Sequence, residues 1–208
     1  MEQKDLLDDL SSIKNIMERS TKFISLSGLS GVMAGVYAIL GAAYALTVFQ
    51  KEKAAGPGDA YRDEAIMQLT LTAAAVLIFS VSTGIWLTIR KARRKGLTVW
   101  NPVSRALLLS GGIPLATGGL FIIILLLQQH FSIISAGCLI FYGLALVSAS
   151  HYTFGDVKWL GIFEILIGLA ALAIPGYGFL LWVLGFGVMH ILYGAIMHFK
   201  YDREVNTK

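Results

Sequence analysis

The 208-residue sequence has one cysteine, four prolines and little charge. Cys138 stands alone, so no intramolecular disulfide can form and cysteine-based metal sites are excluded. Charged residues make up 14% of the chain, against roughly a quarter in ordinary soluble domains. A water-exposed surface cannot be built from so few. No His-Glu-x-x-His zinc signature, P-loop or dinucleotide fingerprint is present, and no metal or cofactor is expected. The first 22 residues are polar and mixed in charge, with no apolar core or small-residue cleavage site. The first apolar segment is therefore expected to stay in place as an uncleaved anchor.

What the chain has instead is apolar length. Hydrophobic residues reach 56% and the mean hydropathy is +0.69. Six apolar segments stand out: Phe23–Phe49, Ile66–Ile89, Ala106–Leu127, Phe131–Ala149, Trp159–Ile174 and Tyr177–Phe199. Most have the roughly 20 residues that cross a hydrocarbon core. The fifth is short, and Lys158 can snorkel to extend it. The expected fold is all-α: a polytopic membrane bundle of six transmembrane helices, arranged as three hairpins. A cytoplasmic arm (residues 1–22) precedes the six-helix domain (23–199), and a cytoplasmic tail (200–208) follows it.

Orientation follows from the loops, because cytoplasmic loops collect Lys and Arg. With the N-terminus inside, 14 of the 17 Lys and Arg lie on the cytoplasmic side, and only Lys51, Lys53 and Arg62 lie outside. Both termini are then cytoplasmic, and the plasma (inner) membrane is the expected location. The loop carrying Arg90, Lys91, Arg93, Arg94 and Lys95 has no acid. It is a candidate site for anionic lipid headgroups, although enforcing topology is the plainer explanation, since positive cytoplasmic loops are the rule. The concentration of basic charge in membrane-flanking loops argues against nucleic acid as a partner.

The arm carries Leu6, Leu10, Ile13 and Met17 at helical spacing, which predicts a short amphipathic helix. Its other face mixes Asp5, Asp8, Asp9 and Glu18 with Lys4, Lys14 and Arg19, which suits self-association or docking better than lipid binding. A homo-oligomer is one outcome of such a face.

Glycine is abundant, at 22 residues, and concentrated in the apolar segments. Ser27, Gly31 and Gly35 form a small-residue ridge on the first span, and Gly161, Gly168, Gly187 and Gly194 do the same on the last two. Such ridges let helix backbones approach. In the final hairpin Gly161, Gly168, Pro175, Gly185 and Gly194 follow a pattern of glycine, apolar helix, proline turn, apolar helix, glycine. That segment resembles a hairpin of the HdeD-like acid-resistance membrane proteins. The resemblance implies a six-span bundle and carries no chemistry with it. It does not extend to the first hairpin or to the arm.

One pair of residues carries chemistry. Glu164 is the only acid inside a span, and His190 is the only histidine near mid-span. Ionisable groups at that depth are costly and mark functional sites. Each lies roughly 17 Å from the turn at Pro175, by the 1.5 Å rise of a helix, so the two are level on adjacent antiparallel helices. Glycines at i−3 and i+4 flank both, which places both on packed faces. A shared proton responding to pH is one reading; an interhelical hydrogen bond that fixes the hairpin is the other.

The expected function is thus a non-enzymatic membrane protein, a small sensor, stress-response or scaffold component. A proton-linked transporter or channel using Glu164 and His190 is the first alternative. The second is an intramembrane hydrolase: Gly28-Leu29-Ser30-Gly31 resembles the nucleophile motif of rhomboid proteases, with His190 as the partner of Ser30. The Ser would lie on the wrong span, and the family's Trp-Arg loop motif is missing.

Overall fold

The computed structural model describes residues 26–54 and 63–202. The amphipathic segment expected within residues 1–22 and most of the C-terminal tail lie outside the described residues. Regular structure among the described residues is entirely helical. The helices are α1 (Gly28–Ala54), α2 (Asp63–Arg94), α3 (Pro102–Leu127), α4 (Ile134–Ala149, with a 3-10 turn at each end), α5 (Asp156–Ala173) and α6 (Gly178–Asp202).

Five of these, all but α5, are long and apolar enough to cross a membrane. Charge rather than length sets α5 apart, since it opens on Asp156 and Lys158 and carries Glu164. Two boundaries differ from the apolar runs. α2 continues past Ile89 to Arg94, and α5 begins at Asp156 rather than Trp159. Hydropathy marks where lipid can be met, whereas backbone hydrogen bonding carries a helix on into polar sequence.

The connections have local causes. α2 ends at Gly96, whose φ of +64° allows the Leu97 and Gly96 N–H groups to reach back to the carbonyls of Ala92 and Arg93. α3 starts with a reciprocal cap: Asn101 Oδ1 accepts from Ser104 N at 2.8 Å, and Asn101 N donates to Ser104 Oγ at 2.9 Å. Pro102 follows at the first helical position, where no N–H is needed. The end of α3 uses the same back-bonding as α2, but Gln129 rather than glycine takes the positive φ, at 58°.

α1 packs antiparallel on α2 and α6, α4 packs antiparallel on α3 and α5, and α5 packs antiparallel on α6, whereas α4 and α6 run parallel. α1 and α6 meet through backbone contact. A Cβ on Gly28 would lie 2.7 Å from Gly194 O, and one on Gly35 would lie 2.6 Å from Gly187 O. α4 and α5 meet in the same manner, because a Cβ on Gly143 would lie 2.6 Å from Gly161 O and one on Gly161 2.7 Å from Gly143 O. α4, α5 and α6 form the inner group around Leu139, Ala136 and Ala171, with Trp182 and Phe186 packed against them. α2 lies outside α1, joined by Tyr37 Oη and Thr83 Oγ1 at 3.2 Å. α3 lies outside α4, where Ser110 Oγ donates to Ser148 O at 2.9 Å. These two are the barest of the candidate spans.

One end of the bundle therefore holds the start of α1, the end of α2, the starts of α3 and α5, and the ends of α4 and α6. It also carries most of the basic residues and the exposed Trp86, Trp100 and Trp159.

Candidate functional site

Glu164 projects from α5 into the space between α4 and α6 and is 0% exposed. Room for its carboxyl comes from Gly185 on α6, where a Cβ would lie 2.5 Å from Glu164 Oε2. Any larger residue at 185 would collide with the acid or with Leu139, on which the same position leans. His190 stands one turn further along α6 and is 5% exposed. Its Nδ1 lies 3.3 Å from Glu164 Oε1. The pair expected from matched helical depth is thus brought together.

The hydrogen bonding is not the expected one. His190 Nδ1 lies 3.0 Å from the Gly185 carbonyl, in hydrogen-bonding alignment. A carbonyl only accepts, so Nδ1 carries the proton and donates it there. In the neutral ring Nε2 then accepts, and Tyr142 on α4 donates its O–H to it at 2.8 Å. The single Nδ1 proton is committed, and neither oxygen of Glu164 has a hydrogen-bond partner among the described residues. The carboxyl sits beside the imidazole at ion-pair distance without receiving a hydrogen bond from it.

The surroundings are aromatic and apolar. Trp182, Phe186 and His190 follow one another at four-residue steps along α6, with the Phe186 and His190 rings stacked at 5.7 Å. Tyr142 leans on both, 5.1 Å from Phe186 and 5.3 Å from His190. The backbone here is unusual: α6 is π-helical over Val183–Met189 and returns to α-helix at His190. Short π-helical stretches accompany functional sites because they re-aim carbonyls and side chains.

Glycine flanking pointed to the right region through the wrong contacts. Gly161 and Gly168 pack on α4, against Gly143 and Ile140, and Gly187 and Gly194 pack on α1, against Ile39 and Val32. Gly31 and Gly35 supply the α1 side of that seam, and buried Ser27 precedes it. The glycine that faces the Glu164–His190 pair is Gly185. Tyr142, the third member of the cluster, was missed. Nothing in an apolar run distinguishes one tyrosine from another until the packing of α4 on α6 is known.

A second cluster closes the basic end of the bundle. Asp202, at the end of α6, accepts from the backbone N–H of Gly28 at 3.1 Å and so caps the start of α1. Lys91 Nζ lies 2.5 Å from Asp202 Oδ1 and donates to Leu26 O at 2.6 Å. His198 Nδ1 adds a contact with Oδ2 at 3.0 Å. Lys91 of the basic run turns inward to join α2, α1 and α6, whereas Arg90, Arg93 and Arg94 are exposed. Nearby, Asp156 on α5 takes hydrogen bonds from Lys200 Nζ at 3.0 Å and Tyr201 Oη at 2.7 Å. Burial opposes ionisation of Asp156, but these two bonds and the Lys200 charge outweigh it and hold the carboxyl below its ordinary value.

Ser30 donates its hydroxyl to the Ser27 carbonyl at 2.5 Å. Both ring nitrogens of His190 are engaged by Tyr142 and Gly185. Among the described residues no group of three or more His, Cys, Asp or Glu could hold a metal ion. No family model, curated protein or solved structure matches the chain.

Proposed function

We propose that this chain is a six-span integral membrane protein with both termini in the cytoplasm, and that Glu164, His190 and Tyr142 form a proton-binding site within it. A small sensor or stress-response component of the plasma (inner) membrane is the role that fits. One observation carries the reading: a fully buried carboxyl that no donor among the described residues satisfies, 3.3 Å from an imidazole. A bare buried carboxylate costs several kcal/mol, so a proton moves with any change in its surroundings.

Two features support the membrane placement. With Glu164 buried, α5 exposes Phe163, Leu166, Leu169 and Leu172, which suits it to be the sixth span. Exposed Trp86, Trp100 and Trp159 cluster at the basic end, where tryptophans line a membrane interface and positive loops face the cytoplasm. The bilayer is the first partner, with Arg90, Arg93 and Arg94 toward anionic headgroups.

The transporter or channel alternative draws on the π-helical stretch opposite Glu164, an irregularity of the kind found where helices line a pathway. Nothing in the geometry favours the hydrolase alternative, because the Ser30 hydroxyl and the His190 ring are both engaged elsewhere. Kinship with HdeD-like proteins rests on Pro175 and on four glycines that the packing requires on its own account.

Infrared spectra of the full chain in lipid nanodiscs, stepped through pH, test the reading. A protonated-carboxyl band that fades as pH rises and is missing from Glu164→Gln is the expected result. Wild type and variant giving the same spectra at every pH would refute it. The same proteins in liposomes separate the roles: a pH-driven proton flux lost in Glu164→Gln indicates transport, and no flux indicates a sensor.

A further inference from the structure

The Gly185 carbonyl and the Glu164 carboxyl compete for one proton. His190 Nδ1 lies 3.0 Å from the first and 3.3 Å from the second, and a single N–H satisfies only one of them. As described, the bond goes to Gly185, and both Glu164 oxygens are without a protein donor. That arrangement suits a neutral carboxyl. An ionised carboxyl demands a donor, since burying it without one is far more costly than losing a neutral hydrogen bond. His190 Nδ1–H is the donor within reach.

We propose that Glu164 and His190 form a switch in which ionisation of Glu164 draws the His190 Nδ1 proton from the Gly185 carbonyl to the carboxylate, and so releases a side-chain staple on the π-helical stretch of α6. The proposal rests on the proton-site reading above and adds its regulation. Gly185 lies inside the π-helical stretch Val183–Met189, directly before His190 resumes the α-helix. Its carbonyl accepts from the His190 ring, five residues ahead. Losing that bond removes a side-chain staple from the π-helical stretch. Downstream lie His198, Lys200, Tyr201 and Asp202, which tie α6 to α1, α2 and α5.

The groups facing the switch are few. Tyr142 faces it from α4, holding the far ring nitrogen at 2.8 Å. α5 contributes Glu164 alone and α6 His190 alone. The α1 face packed on this part of α6 presents Ile39 and Gly35. No charge from outside the pair therefore competes for the proton, among the described residues.

The test is nuclear magnetic resonance on the full chain in nanodiscs, with carbon labels at the Glu164 carboxyl and Gly185 carbonyl and nitrogen labels in His190. Across a pH titration of the wild type, the three signals should move together with one midpoint. In Glu164→Gln the Gly185 and His190 Nδ1 signals should stay at their low-pH positions throughout. Titration of Glu164 with the Gly185 signal unmoved overturns the switch and leaves the proton site standing. No titration of Glu164 at all removes both. Should Glu164→Gln fail to fold, Tyr142→Phe serves in its place. It keeps both acceptors, so the joint movement should survive with a displaced midpoint; loss of the Gly185 response while Glu164 still titrates overturns the proposal.

Discussion

The molecule sets two carboxylates beside histidines, and it treats them in opposite ways. Asp202 receives a lysine ammonium, a backbone N–H and a histidine nitrogen, all at the basic end of the bundle. Glu164 lies in the middle of the apolar interior and receives nothing but the proximity of His190. The residue types are alike, and what differs is the supply of donors. A carboxylate supplied with a cation and further donors ties helices together. A carboxyl left short of donors is the candidate proton site. The difference shows how to separate structural from functional charge in a bundle of this kind.

The largest effect should come from the α1–α6 seam, which the Asp202 cluster closes at the basic end. Gly194→Leu would force a side chain into the backbone of α1 at Val32 and should prevent α1 from packing on α6. Gly112→Leu is its control, because nothing lies within 4 Å of that position. Yield of folded protein and its thermal midpoint in detergent should collapse for the first and hold for the second. Equal losses would mean the seam is not where α1 is held.

Next comes the ammonium at Asp202. Lys91→Met leaves a mostly buried carboxylate without its cation and should destabilise the bundle by about 3 kcal/mol. Reversible unfolding in mixed micelles would measure it. A change within error would demote the cluster to a surface ion pair.

Tyr142→Phe removes one hydrogen bond from His190 and should cost about 1 kcal/mol while leaving the fold intact. A tryptophan-fluorescence unfolding curve suffices, and a loss as large as that of Lys91→Met would make Tyr142 a structural keystone.

The smallest effect concerns Asp156, which sits at the rim. Its carboxyl is held below the ordinary 3.8, so it adds stability above that pH and loses it as pH falls through the lower folded value. The stability difference between wild type and Asp156→Asn should be constant from pH 7 to about pH 5 and shrink only below about pH 4. A difference that vanishes near neutrality would contradict the Lys200 and Tyr201 bonds.

Much of this was legible in the sequence, for identifiable reasons. Apolar runs long enough to cross a bilayer are also long enough to mark helices. Glu164 and His190 stood out because ionisable residues are rare there, and their common depth followed from helical rise and the Pro175 turn. What could not be read depends on contacts between distant segments. Lys91 looks like its neighbours in a basic run until α6 returns Asp202 to it. Asp202 reads as one acid in a polar tail. Tyr142 becomes a partner of His190 only when α4 packs on α6. The π-helical stretch has no sequence signature beyond glycines that serve packing equally well. Flanking glycines located the right faces, yet those glycines touch α1 and α4, and Gly185 alone makes room for the acid.

The two carboxylates can be compared in one measurement: the unfolding free energy of Glu164→Gln and of Asp202→Asn, each against wild type, at neutral pH in the same bicelles. Removing the charge from a group already supplied with donors should destabilise, so Asp202→Asn should lose about 2 kcal/mol. Removing it from a group that has none should be neutral or stabilising, so Glu164→Gln should match or exceed wild type. A Glu164→Gln loss equal to or larger than that of Asp202→Asn would contradict the account, because Glu164 would then be one more staple.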